Sequence, residues 1–218
     1  MAGTVMVIGA SRGIGLELAR QYAADGWRVH ATTRTPDRPG ALGRLSGDVV
    51  LHELDVRRAD QTAALASAVA AEGLDLLIHN AGVMDRGLSF DEMMAINAEA
   101  PIRVTEALLD AVRRGRDKKI VLMTSQLGAR YGSNRRLGAY GESKAALNDR
   151  FRERAPDWGA EGLIAVVMHP GWVRTDMGGR GATLSVEESV TGMRRVIAGL
   201  TPAEHGRFWT WDGREHAW

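Results

Sequence analysis

The 218-residue chain has no cysteine, which excludes disulfides, a thiolate nucleophile and cysteine-ligated zinc or iron–sulfur centres. It has almost no net charge. Its 28 basic and 27 acidic residues leave +1, so no overall field draws it to nucleic acid or to an anionic membrane. No apolar run approaches the roughly 18 residues that a membrane-crossing helix needs. The first residues lack a basic stretch followed by a cleavable apolar one, so a cytoplasmic protein is expected. The six histidines include no closely spaced pair, so no histidine-built metal site is expected. What remains is ordinary for one globular domain: 44% apolar and 25% charged residues, on a chain long enough to bury a substantial core.

Short β-rich apolar runs alternate with longer helical patterns. Strands are expected at Thr4–Ile8, Arg28–Thr33, Val49–Leu54, Leu74–Ile78, Lys119–Thr124, Leu163–Met168 and near 206–211. Helices are expected at Gly13–Asp25, Arg58–Glu72, Phe90–Arg114, 139–154 and 185–199, with Pro101 kinking the third or marking its first turn. Strands separated by helices of ten or so residues read as βαβ units and a parallel sheet. Near-continuous apolar strands mean that both sheet faces are covered. The expectation is a single α/β domain over residues 1–218: a doubly wound Rossmann fold of about seven strands with helices on both faces. Ligands then bind outside the C-terminal ends of the strands.

The first strand runs into Gly9-Ala10-Ser11-Arg12-Gly13-Ile14-Gly15, where a helix begins. Glycines there let the chain turn tightly and bring backbone N–H groups up to a pyrophosphate at the helix N-terminus. The position of this loop, after the first strand and before the first helix, separates it from a glycine-rich turn that binds nothing. A cofactor ribose 2′-hydroxyl is held by an acid at the end of the second strand, whereas a 2′-phosphate is held by arginine. Here that strand ends in Arg34 with no acid at its tip, and Arg12 lies inside the loop. Two guanidiniums that can converge on one phosphate select NADP(H) over NAD(H).

Tyr140 and Lys144 are four residues apart and share one helix face. A tyrosine is a poor acid–base catalyst near neutrality. An adjacent ammonium and an oxidised nicotinamide favour its phenolate, so a lowered tyrosine pKa is expected. Ser125, at the end of the fifth strand, can hydrogen-bond a substrate oxygen.

The glycine loop, His79-Asn80-Ala81-Gly82 after the fourth strand, Ser125, and the Tyr140/Lys144 pair occur together and in order. The chain thereby resembles the short-chain dehydrogenase/reductase family along nearly its whole length. It is most similar to the short carbonyl-reductase, sniffer-like and C-factor-like members, and the closing segment from Gly206 to Trp218 adds to this. The resemblance implies a reversible hydride transfer between NADP(H) and a small ketone, aldehyde or alcohol, with no metal. Tyr140 would be the proton donor and acceptor, Ser125 would position the substrate oxygen, and Lys144 would tune Tyr140 and bind the nicotinamide ribose. Asn97 would order a water in the proton relay. Asp55 and Val56 would lie against adenine, and Asn80, Ala81 and Gly82 along the cofactor. Pro170, Gly171, Val173 and Thr175 would line the nicotinamide.

Substrate contacts are expected from the Ser125–Tyr140 loop, including Leu127, and from Trp172 and Met177, which favour an apolar or aromatic carbonyl compound. Met177–Ala182 reads either as a mobile lid or as a plain connector. The family also implies a homodimer through the two long helices, with Leu108, Val112, Ala146 and Phe151 as candidate apolar contacts. The sequence departs from the family at His79, where asparagine is usual and a structural histidine is expected. It departs again in the longer interval between Ser125 and Tyr140. A second function, a dinucleotide-binding regulatory protein of the C-factor type acting through partners, is opposed by the intact Ser125/Tyr140/Lys144 set. Sugar-nucleotide epimerase or dehydratase chemistry fails on the glycine spacing and on the lack of a further substrate domain.

Overall fold

A computed structural model of the chain describes residues 2–84, 87–131 and 138–218. Seven parallel strands form one sheet: β1 (Thr4–Ile8), β2 (Arg28–Thr33), β3 (Val49–Glu53), β4 (Leu76–His79), β5 (Lys119–Met123), β6 (Ile164–His169) and β7 (Phe208–Thr210). Their spatial order is β3-β2-β1-β4-β5-β6-β7. The order reverses between β1 and β4, and a crevice opens at that point beyond the strand C-termini. The expected Rossmann architecture is present.

The helices are α1 (Gly13–Ala24), α2 (Ala59–Ala68), α3 (Phe90–Met94), α4 (Ala100–Arg114), α5 (Gly138–Ala160) and α6 (Val186–Ala198). Alternation along each strand sends side chains to two cores. Val5, Val7, Ile78 and Val121 pack with Leu18 of α1 and Met193 of α6. Met6, Ile8, Leu77 and Leu122 pack with Leu65 of α2, Leu108 and Val112 of α4, and Phe151 of α5. Lys119 ends its side chain on the carbonyls of Ile197 and Ala198, at 2.9 and 3.1 Å, so it satisfies the C-terminus of α6.

The structure corrects three expectations. Phe90–Arg114 is not one α-helix: α3 and α4 are joined by a π-turn at Ala95–Glu99. Pro101 has no N–H to give the Asn97 carbonyl, its partner in an α-helical register, and the chain widens there. α5 runs past Pro156 to Ala160 because its last turns bury Ala155 and Trp158. Finally, Leu108, Val112 and Phe151 are buried within the monomer, and Ala146 packs on the same core. The first three present no apolar face to a second copy. No helix among the described residues is long and apolar enough to cross a membrane.

Candidate active site

The loop after β1 is built by steric necessity. A Cβ on Gly9, whose φ is +83°, would stand 2.8 Å from the Cα of Ala81, and one on Gly15 would stand 2.1 Å from the Gly9 carbonyl oxygen. Only glycine fits either place. Three contacts fix the turn: Gly9 N–H donates to Thr32 Oγ1 at 2.9 Å, Ala10 N–H to the Thr32 carbonyl at 2.9 Å, and Asn80 Nδ2 to the Gly9 carbonyl at 2.9 Å. Arg12 precedes α1 but provides no side-chain cap, and the first turn carries no acid. The orphan N–H groups of that turn are left for an anion. A Cβ on Gly13 would meet only the Thr175 side chain, at 3.5 Å, so the loop faces the segment after β6 across the cleft.

This cleft has a volume of about 570 Å³. Its walls bring together most of the residues singled out from the sequence: Gly9, Ser11, Arg12, Gly13 and Ile14 of the loop; Arg34, Asp55 and Val56 at the ends of β2 and β3; and Asn80, Ala81 and Gly82 after β4. Tyr140, Lys144, Pro170, Thr175 and Met177 complete that group. Gly15, Asn97, Ser125, Leu127, Gly171, Trp172 and Val173 are not on its walls. Gly171 points its α-hydrogen side at Leu184 and Trp211, and Val173 is buried and bridged to Leu184. These two shape the segment rather than the surface.

At the end formed by β2 and β3, Asp55 is chelated by Arg57, with Nη2 at 2.6 Å and Nε at 3.0 Å. That contact, with the Arg57 backbone N–H, holds its carboxyl down at about 2. Arg57 also lines the cleft. Sequence reasoning missed it, although its place two residues after Asp55 was a readable signal. Arg34 has no ion-pair partner among the described residues, whereas Arg12 Nη1 lies 3.0 Å from Asp176 Oδ2.

The other end is drier. Ser125, Asn97 and Lys144 are buried. The Ser125 hydroxyl lies near enough to the Tyr140 phenol to favour its ionised form and accepts the Leu127 N–H at 3.1 Å, so Leu127 acts on the site through Ser125. Lys144 Nζ donates to the Met123 carbonyl at 2.9 Å and stands 6.0 Å from the centroid of the Tyr140 ring. The lowering expected of Tyr140 depends on an oxidised nicotinamide beside it, and the protein groups alone act the other way. Burial pushes Tyr140 up to about 12, the Ser125 hydroxyl opposing it, and burial brings Lys144 down to about 8. Desolvation disfavours the phenolate, and the Lys144 ammonium is directed to a backbone carbonyl. Near neutral pH, Tyr140 holds its proton.

Asn97 uses its whole side chain. Oδ1 accepts the Val83 N–H at 2.8 Å, and Nδ2 donates to the Val83 carbonyl at 2.7 Å and to Ser143 Oγ at 3.0 Å. A Cβ on Gly82 would touch Asn97 Oδ1 at 3.2 Å and Lys144 Nζ at 3.4 Å. The π-turn thus places Asn97 directly behind the cleft wall. His79 is buried with both ring nitrogens unpartnered among the described residues. Burial first, and Lys144 next, hold it neutral with a pKa near 3. His79 is therefore a buried, uncharged packing residue at the end of β4, as expected of a structural histidine there.

On the outer side, Trp172 is half exposed, and its indole N–H donates to the Gly178 carbonyl at 2.9 Å. Arg174 Nη1 reaches the Ala182 and Thr183 carbonyls at 3.3 and 3.0 Å. Residues 177–182 are thus stitched to the segment that precedes them. Trp218 stacks on Phe151 with ring centroids 6.1 Å apart, and Trp209 and Trp211 pack on the other core. None of the three lines the cleft. Of the loop between Ser125 and Tyr140, residues 132–137 lie outside the described residues.

Comparison with known proteins agrees with this geometry. Residues 3–183 match the family model for short chain dehydrogenase. The chain is 41% identical to C-signal of Myxococcus xanthus over 165 residues, which cover 71% of this chain and 99% of the relative. It is similar to the NADPH-bound carbonyl reductase from chicken fatty liver, with a TM-score of 0.87 and 30% identity over 99% of this chain and 98% of the other. It is likewise similar to the carbonyl reductase Sniffer of D. melanogaster, with a TM-score of 0.89 and 26% identity over 100% of both chains.

Proposed function

The chain belongs to the short-chain dehydrogenase/reductase family, and from that premise we propose that it is an NADP(H)-dependent carbonyl reductase acting on ketones or aldehydes. One observation carries this reading. A single cleft joins an uncapped helix N-terminus flanked by Arg12 and Arg34 to Tyr140 and Lys144. The cradle has the chemistry of a phosphorylated dinucleotide site: glycine backbone against a pyrophosphate, guanidiniums for a 2′-phosphate. The NADPH carried by the chicken carbonyl reductase supports the same choice.

When bound, NADPH supplies the hydride. The residues of this chain do the rest. Tyr140, protonated near neutral pH, gives its proton to the oxygen of the reduced carbonyl, and the Ser125 hydroxyl holds that oxygen in place. Lys144 supports Tyr140 from behind and offers its remaining N–H donors to the cofactor ribose. The Asn97 side chain fixes Val83 and the wall beside Lys144. The proton path leads past Lys144 towards the Asn97 carbonyl, which Pro101 leaves without its α-helical donor. Asp55 orients Arg57 at the adenosine end, and Val56 provides apolar surface there. Thr175 and Pro170 close the nicotinamide side. Met177 and Trp172, both exposed, favour an apolar or aromatic substrate.

A homodimer through α4 and α5 would meet at ion pairs rather than at apolar contacts. Arg150–Glu99, Arg154–Glu106 and Arg113–Glu161 link these helices and the end of α5 along their exposed surface. A second reading, a dinucleotide-binding protein that signals through partners, takes its support from the C-signal relative. It ranks below the reductase because the Ser125/Tyr140/Lys144 set is intact. Calorimetric titration with NADPH and NADH tests the proposal. Tight NADPH binding with much weaker NADH binding is expected; binding of neither at millimolar concentration would remove the basis of the reductase reading.

A further inference from the structure

Two arginines that could take a 2′-phosphate line the cleft, and they are not equivalent. Arg34 has no ion-pair partner among the described residues. Arg12 already has an anion: its Nη1 is 3.0 Å from Asp176 Oδ2. The pair joins residues 164 apart in sequence and links the two banks of the cleft. Arg12 belongs to the loop after β1, and Asp176 follows Thr175, whose methyl group faces Gly13. Both side chains are 66% exposed, so the pair lies in water and can exchange partners.

We propose that Asp176 is a cofactor-discriminating residue, which competes with the ribose 2′-phosphate for the Arg12 guanidinium. The proposal rests on the reading of this cleft as an NADP(H) site. A guanidinium keeps its charge at any working pH, so Arg12 is always available to a nearby anion. A cofactor with a free 2′-hydroxyl leaves Arg12 on Asp176 and loses nothing. A cofactor with a 2′-phosphate must first displace the carboxylate, and Arg12 then contributes only the difference between a phosphate contact and a carboxylate contact. Asp176 therefore narrows the margin by which NADP(H) is preferred over NAD(H), while Arg34, with no ion pair to break among the described residues, sets the sign of that preference.

The test uses two adenosine ligands that differ only in the disputed group, 5′-AMP and adenosine 2′,5′-bisphosphate, titrated into the full-length protein. The wild-type chain is expected to prefer the bisphosphate. Asp176→Asn is expected to tighten the bisphosphate by roughly two- to fivefold, the scale of an exposed ion pair, and to leave 5′-AMP unchanged. In an Arg12→Gln background the same substitution is expected to change neither ligand. Asp176→Ser, checked with the others by thermal unfolding, repeats the measurement without an amide in place of the carboxylate.

Equal tightening of both ligands would mean that Asp176 acts only through its general negative field, and would overturn the proposal. Weaker bisphosphate binding by Asp176→Asn would overturn it too, since the pair would then be holding Arg12 ready for the phosphate. Should the wild-type chain bind both ligands equally, the NADP(H) reading itself would fail, and the role of Asp176 with it. A wild-type preference that Asp176→Asn leaves untouched would remove only the latter.

Discussion

The two ends of the cleft hold charge in opposite ways. Across the mouth of the cleft, Arg12 and Asp176 are each 66% exposed, and at the adenosine end Arg57 and Asp55 pair at the surface. Water and salt screen such pairs, and each is worth about 0–1 kcal/mol. At the nicotinamide end Lys144, Ser125 and Asn97 are buried, and every polar atom there is held by a named neighbour or shifted by desolvation. Charges in water can be redistributed by one substitution with modest effect, so the exposed end suits discrimination. Groups out of water must be matched in advance, and this fixes the chemistry at the buried end.

The sharpest way to break this contrast is Tyr140→Phe. Turnover of a ketone in single-turnover assays is expected to fall at least about 10³-fold, with the NADPH dissociation constant nearly unchanged; substantial residual activity would remove Tyr140 as the proton donor. Next in size is Asn97→Leu, which leaves the Val83 N–H and carbonyl without partners. A loss of about 2–4 kcal/mol in chemical denaturation is expected, together with lost turnover. At the exposed end, Arg34→Ala is expected to weaken NADPH by roughly tenfold and to leave NADH where it was. If both cofactors weakened equally, Arg34 would be reading something other than the 2′-phosphate.

The smallest effect concerns a region outside the cleft. His30 Nδ1 and His52 Nε2 lie 2.8 Å apart between β2 and β3. Burial, with the neighbouring His30 second, lowers His52 to about 4, against an unfolded value near 6.5. A histidine held below its unfolded value contributes stability that is complete above about pH 6.5 and is lost as the pH falls towards 4. His52→Gln should flatten that acid limb by on the order of 1 kcal/mol in urea titrations at successive pH values. An unchanged limb would transfer the acid sensitivity to other groups.

The sequence was most legible where local chemistry decides structure. Each strand was placed to within a residue or two, since apolar runs between helical patterns leave little choice. The glycine loop followed from backbone sterics, and the Tyr140–Lys144 pair from helical periodicity. Illegible features depended on packing or on distant residues. The π-turn around Asn97 needed Pro101 to be read as a donor missing from a specific carbonyl rather than as a kink. The burial that pushes the Tyr140 phenol up is not written in a four-residue spacing, which reveals only the neighbouring ammonium. Leu108, Val112 and Phe151 looked like contact residues because a helical stripe does not say which apolar surface it meets. The Arg12–Asp176 pair spans most of the chain and leaves no local signal.

The central claim is NADPH-dependent carbonyl reduction with Tyr140 as the proton donor. It is tested most directly by mixing the protein with NADPH and a panel of aromatic ketones and aldehydes, and following the absorbance of the reduced nicotinamide. The wild-type chain is expected to consume NADPH in step with alcohol formation, and Tyr140→Phe to bind NADPH but consume none. NADPH bound tightly by the wild-type chain yet consumed with no carbonyl in the panel, or consumed equally by the two proteins, would contradict the account.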